Sequence, residues 1–282
     1  MTTQTSIKRW QQMKLNRRQL VAVLVVILFV MAFYSLSDIS HLMHDRVLAG
    51  GDWLGAALCH RITERSFTIA GRQFSLCARC TGMYLGVMIT FIVVGLAGRL
   101  RWGDLPPLRV LLLLIVFVGV MGFDGINSYM HFFPNLPHLY TPRNWLRLLT
   151  GVGTGLAMGL VIIPMLAQTV WRLDVYRPVI GSFRELAVML GVAGTAVLLL
   201  LSNQPAINYV LAIVSVAGVV TIVTAINVIL LLTLFRKDGL ATRWQETAVP
   251  LTIGLALAFI ELSIITYLRL QFTGTITGIP GL

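Results

Sequence analysis

Seven apolar runs, at approximately 20–37, 76–98, 108–123, 146–170, 185–202, 207–235 and 247–268, constrain this chain more than any motif does. Crossing the ~30 Å hydrocarbon core takes about 20 residues of helix at 1.5 Å per residue, and most of these runs reach that length. Only 12% of the 282 residues are charged, about half the share a soluble domain carries. The reading is all-α: a polytopic transmembrane bundle of about seven helices with the N-terminus cytoplasmic. One membrane domain over 1–282 is the economical division, with a basic cytoplasmic N-terminus at 1–19, a Cys/His/Arg core at 59–160 and additional helices over 185–268. No long linker or low-complexity segment divides it. The run at 108–123 is short, and either extends through Ile126 to Met130 or enters the membrane only partly. The run at 207–235 is long enough to tilt.

The basic excess speaks to orientation. Lys and Arg number 22 against 11 Asp and Glu, a formal charge of +11. No basic run alternates with aromatic residues, so a nucleic-acid partner is excluded in favour of the lipid bilayer and its anionic headgroups. With the N-terminus inside, Lys8, Arg9, Lys14, Arg17 and Arg18 join Arg99, Arg101, Arg109, Arg172, Arg177, Arg184, Arg236, Lys237 and Arg243 on the cytoplasmic side, 14 of the 22. The run 20–37 is longer than a signal-peptide core and no small-x-small cleavage site follows it, so it reads as a retained first helix. On this topology all three cysteines and all five histidines fall on the outer side, in 38–75, in 124–145 or at the outer end of 76–98. Gly151, Gly155 and Gly159, and likewise Gly82 and Gly86, are spaced four apart and are expected to admit a close neighbouring helix.

The cysteines are Cys59, Cys77 and Cys80. With Leu76 opening a helix, Cys77 and Cys80 stand at i and i+3 in its first turn, with both thiols on one face. Free N–H groups and Arg79 favour the thiolate there. Three uses fit. Cys59, Cys77 and Cys80 supply three soft ligands, and a histidine completes a tetrahedral zinc site. His60 adjoins Cys59, which makes joint ligation awkward; His41 and His44, at i and i+3, or His131 reach the ion more easily. Alternatively, Cys77 and Cys80 cycle between dithiol and disulfide in an oxidising compartment, passing electrons to quinone. The third use is structural: one bridge with one free thiol, or thiols that merely pack.

Around the cysteines stand Arg61, Arg65, Arg72 and Arg79, with Glu64 as the carboxylate among them. Arg143 and Arg147 join from the start of the run 146–170. Arginine forks take phosphate and carboxylate in a bidentate way, so Arg65, Arg79 and Arg147 are candidates to bind an anionic lipid or small-molecule substrate; snorkelling to lipid phosphates is the alternative. Asp124 is a natural partner for one of these arginines. Glu261 lies within an apolar run, where a charge costs several kcal/mol unless paired, hydrated or protonated, and so marks an ion path or a buried pair.

Cys59-His60, Glu64-Arg65-Ser66-Phe67, Gly71, Cys77-Ala78-Arg79-Cys80-Thr81-Gly82, Tyr84 and Gly86 together resemble a family of prokaryotic membrane proteins catalogued as a domain of unknown function. Asp124-Gly125 and Arg147 with Gly151 and Gly155 are similar to a later part of its pattern. The resemblance covers roughly 59–160. It implies a multipass domain with a shared Cys/His/Arg site and no activity. Arg61 and Thr63 stand where members more often carry Gln and Pro.

The expected function is an outer-face Cys/His site that binds a metal, with zinc as cofactor. Three protein ligands would leave a position open for chemistry on a lipid or headgroup, and four would only brace the fold. Two other classes compete: a transporter using Glu261 with the cysteines as a clamp, and a subunit docking to partner chains of a larger membrane complex. Histidines are not clearly inside helices, which disfavours haem, and soluble-enzyme signatures are absent.

Overall fold

The computed structural model describes residues 45–131, 133, 137, 139–172 and 176–278. The run 20–37 with its basic preface, and His41, His44 and His138, lie outside the described residues. Seven helices and one hairpin follow in order: α1 (Arg46–Ala56), β1 (Ser66–Ile69), β2 (Arg72–Cys77), α2 (Ala78–Leu96), α3 (Leu108–Met130), α4 (Asn144–Val170), α5 (Phe183–Leu201), α6 (Pro205–Leu234) and α7 (Ala248–Thr273). Six of them, α2 to α7, are long and apolar enough to cross a membrane. A bilayer offers no hydrogen bonds, so a helix, which pairs its own backbone, is the form these apolar runs take.

Two helices make the centre. α4 packs along α2 on the glycine faces, where a Cβ on Gly155 would fall on the Met83 carbonyl and one on Gly82 on the Leu148 carbonyl. Such contact brings backbone against backbone, where van der Waals attraction replaces the hydrophobic drive that lipid removes. α6 closes on the same core through Gly218 against Tyr84. α3 and α7 instead present Leu112, Ile115 and Val116, and Ile253, Ile260 and Ile264, outward as lipid-facing surface.

Three local features go beyond the sequence expectation: the first decides an alternative left open, and the other two differ from it. α3 continues to Met130, beyond the apolar limit at 123. It can do so because Asp124 and Asn127 find partners: Asp124 with Arg79 and Tyr140, Asn127 with the Leu139 N–H and the Tyr140 carbonyl. Segment 66–77 is an antiparallel hairpin with Ile69 opposite Arg72 and Thr68 opposite Gln73. Its two-residue turn, Ala70-Gly71, has φ of 47° and 87°, the left-handed pair that matches strand twist and that glycine adopts freely. Leu76 and Cys77 therefore end a strand, and α2 starts at Ala78 with Cys77 as its N-cap residue.

Segment 38–75, read as an outer loop, contains α1. Its N-cap is Asp45, which accepts from the N–H groups of Val47 and Leu48 at 2.7 and 3.1 Å and from the Tyr209 hydroxyl at 2.8 Å. α1 lies against β2 because Gly51 and Gly55 let its backbone approach Ser75, and α7 holds it through Thr266 Oγ1 donating to the Trp53 carbonyl at 2.7 Å. α1, the hairpin, the start of α2 and the end of α3 thus gather at one end of the bundle.

Candidate thiol and arginine site

The loop after α1 and the strand-to-helix junction bring the cysteines together. Cys59 follows the end of α1, Cys77 closes β2 and Cys80 lies in the first turn of α2. Their three Sγ atoms lie within 4.8 Å of one another, and none is in a disulfide. Cys59 and Cys77 are buried and Cys80 is half-buried. The Cys77 N–H donates to Cys59 Sγ at 3.1 Å. Hydrogen bonds from Cys59 and then Cys80 push the Cys77 thiol well below its ordinary range, against its burial, and His60 adds to the effect. Cys59 moves the other way, up to about 12, chiefly because its proton is engaged by Cys77.

The histidine bearing on this group is His60, a candidate ligand whose adjacency to Cys59 made joint ligation look awkward in the sequence. Arg61 turns the chain with φ of 50°, and the Ile62 N–H donates back to His60 Nδ1 at 3.1 Å. That tight turn folds the imidazole back toward Cys77, which spacing along an extended chain would not allow. The backbone donor at Nδ1 leaves Nε2 as the ring nitrogen available to donate. His131 sits exposed at the end of α3 and outside the thiol group. His41 and His44 lie outside the described residues.

Arg269, near the end of α7, braces the cluster from 210 residues away. Its guanidinium donates to the carbonyls of Ala56 at 2.8 Å, Cys59 at 2.5 Å, His60 at 3.0 Å and Gly278 at 2.7 Å. Nothing in the sequence reading singled out Arg269. Asp52 of α1 was likewise unassigned. It takes Arg61 on Oδ1 and Arg72 on Oδ2, each at 2.8 Å, and the Ser75 hydroxyl at 2.9 Å. Arg61 and Arg72 are thereby committed to structure.

The other three arginines meet on the far side of the hairpin. Arg79 pairs with buried Asp124 and donates to Ser128 Oγ at 3.2 Å. Arg65 donates to the Ser128 carbonyl at 3.1 Å. Arg147, buried at the start of α4, donates to Asn144 Oδ1 at 2.9 Å, while Asn144 Nδ2 donates to the Glu64 and Ser66 carbonyls. Tyr140 donates to the second oxygen of Asp124 at 2.7 Å; burial and that bond raise its pKa to about 12. Arg143 is exposed. Midway along α7, Glu261 accepts from Asn227 Nδ2 at 3.0 Å, which ties α7 to α6.

These features define a class: a multipass membrane protein with a close group of three free thiols beside an arginine cluster, at one end of a helical bundle. The chain belongs to the family described as predicted membrane protein (DUF2085), whose profile matches residues 59–161. An uncharacterized protein of Methanothermobacter thermautotrophicus is similar, 35% identical over 85 residues, which cover 28% of this chain and 76% of the relative. An uncharacterized protein of Methanocaldococcus jannaschii is 28% identical over 115 residues, 41% of this chain and 67% of the relative. No solved structure matches the chain. Asp52 and Arg269 lie outside the matched region, so the structure surrounding the thiols draws on more of the chain than the family portion.

Proposed function

We propose that Cys59, Cys77 and Cys80 hold a metal ion, zinc, and that the Arg65, Arg79 and Arg147 surround recognises an anionic lipid or headgroup at the extracytoplasmic face. The observation that carries the reading is the separation of the three sulfur atoms, all within 4.8 Å. Tetrahedral Zn–S bonds of ~2.3 Å place sulfurs about 3.8 Å apart, so only a small contraction closes the site. Three thiolates and borderline-soft zinc match in donor type. Zinc bound there would supply Lewis acidity at its fourth position. The chain's own residues do the rest: Arg269 holds the Cys59-His60 backbone, His60 directs a proton at the sulfur group, and the arginines orient an anion beside it. The orientation is supported by the opposite end of the bundle, which gathers Arg99, Arg101, Arg172, Arg177, Arg184, Arg236, Lys237 and Arg243.

Elemental analysis with free-thiol counting on detergent-purified protein, beside a Cys77→Ser/Cys80→Ser variant, tests the metal. Near-stoichiometric zinc, lost in the variant, is the expected result. Two oxidised thiols with one free and no metal would replace this reading with thiol–disulfide exchange, which the same proximity would serve.

A further inference from the structure

The arginine cluster holds more positive than negative charge. Three guanidiniums, of Arg65, Arg79 and Arg147, face one buried carboxylate, Asp124, whose oxygens are already used by Arg79 and Tyr140. Glu64 is exposed; its backbone carbonyl accepts from Asn144, and its carboxylate is the last and smallest of the influences on Arg65. Arg147 is only 6% exposed. Its Nε, like that of Arg79, is buried with no partner among the described residues. Burial first, then the charges of Arg147 and Arg79, hold Arg65 down to about 10. Like charges desolvated together are costly, and orphaned buried donors add to that cost, unless an anion joins them.

We infer that this cluster binds a phosphomonoester group, carried on a lipid or free in solution. The inference rests on the anion-recognising role given above to the arginines, and names the group they take. A phosphomonoester presents three terminal oxygens and up to two charges, which match three planar forks gathered around one buried carboxylate. A diester headgroup offers two such oxygens and one charge. Placement agrees: the cluster sits where α3 ends at Met130 and α4 begins at Asn144, at the mouth of two membrane-crossing helices. Arg79 stands between Cys77 and Cys80 in the chain, so the phosphate would lie near the thiol group.

The test is binding of radiolabelled phosphatidic acid to the full chain in detergent micelles. Phosphatidylglycerol, phosphatidylcholine and inorganic phosphate serve as competitors. Phosphatidic acid is expected to compete at least about tenfold better than phosphatidylglycerol, and Arg147→Gln and Arg65→Gln each to weaken it by about tenfold. Competition by inorganic phosphate at similar concentration assigns the site to free phosphate; its failure to compete assigns the site to lipid-borne phosphate. Equal competition by phosphatidylglycerol, or unchanged binding in both variants, overturns the inference. Arg147 is buried, so the half-buried Arg65→Gln, checked by an unchanged gel-filtration profile, carries the test if Arg147→Gln does not fold. Phosphatidic-acid binding that persists in the metal-free Cys77→Ser/Cys80→Ser protein supports this site independently of the metal. Metal retained in a wild-type chain that binds no phosphate ligand sinks this inference and leaves the metal reading standing.

Discussion

The two ends of the bundle are both rich in arginine, and they use it in opposite ways. At the thiol end Arg61, Arg79, Arg147 and Arg269 are wholly or largely withdrawn from solvent and bound to carboxylates, hydroxyls and main-chain carbonyls. At the other end Arg101 lies 3.8 Å over the Trp171 ring and 5.2 Å from Trp244, and Arg99 pairs with Glu185 at 2.7 Å with both side chains partly exposed. A cavity of about 560 Å³ at that end is lined mainly by Val170, Leu231, Leu232, Phe235, Pro250 and Ile253, and the three cysteines are not among its walls. Aromatic stacking and loose pairing suit a membrane interface, where charge mainly marks orientation. Buried, multiply bonded guanidiniums hold a particular geometry. The difference teaches that arginine count alone does not separate a topology signal from a site; burial and partner type do.

The sharpest challenge to that contrast is Asp52→Asn. It leaves buried Arg61 without its carboxylate and should cost about 3–5 kcal/mol, read as a lowered thermal-unfolding midpoint in micelles. A shift no larger than that of Glu185→Gln would erase the distinction between the ends. Arg269→Gln removes four carbonyl contacts that position Cys59 and His60. Metal affinity should fall about tenfold to a hundredfold, as for other groups that orient ligands, measured by chelator competition. Tyr140→Phe deletes a bond to buried Asp124 worth about 1.5–3 kcal/mol. Because the folded phenol ionises near 12 rather than at its ordinary ~10, that contribution is complete below pH ~10 and disappears as pH rises through about 12. Spectrophotometric titration should lose one late-ionising tyrosine, the one titrating near 12, in the variant. At the other end Arg101→Gln should cost only about 0.5–1 kcal/mol. Glu185→Gln should cost under about 1 kcal/mol, with the loss shrinking in high salt.

Much of the bundle was legible because its signals are local. A bilayer demands length and apolarity from consecutive residues, so the runs at 76–98, 146–170 and 207–235 matched α2, α4 and α6 within a few residues. The glycine spacing also read directly onto the α2–α4 contact, since i and i+4 share a helix face. Legibility failed where polar residues took long-range partners. Asn127 and Asp124 decided for α3 the longer of the two courses the sequence left open, and the Ala70-Gly71 turn built a hairpin from a segment whose only advance mark was one glycine. His60 was a candidate whose joint ligation with Cys59 looked awkward from spacing along the chain, which says nothing about a reversal at Arg61.

The amino-acid sequence by itself determined that the chain crosses a membrane, where its described spans run, which helix faces close on each other, and that all three cysteines belong to one short stretch. Tertiary structure decided which arginine meets which acid, that Arg269 reaches back to the thiols, and that Arg65, Arg79 and Arg147 converge while Arg61 and Arg72 do not. The reason is physical. Helix length and amphipathic faces follow from neighbours a few residues apart, whereas a buried charge takes the partner that the packed helices place within reach, however distant along the chain.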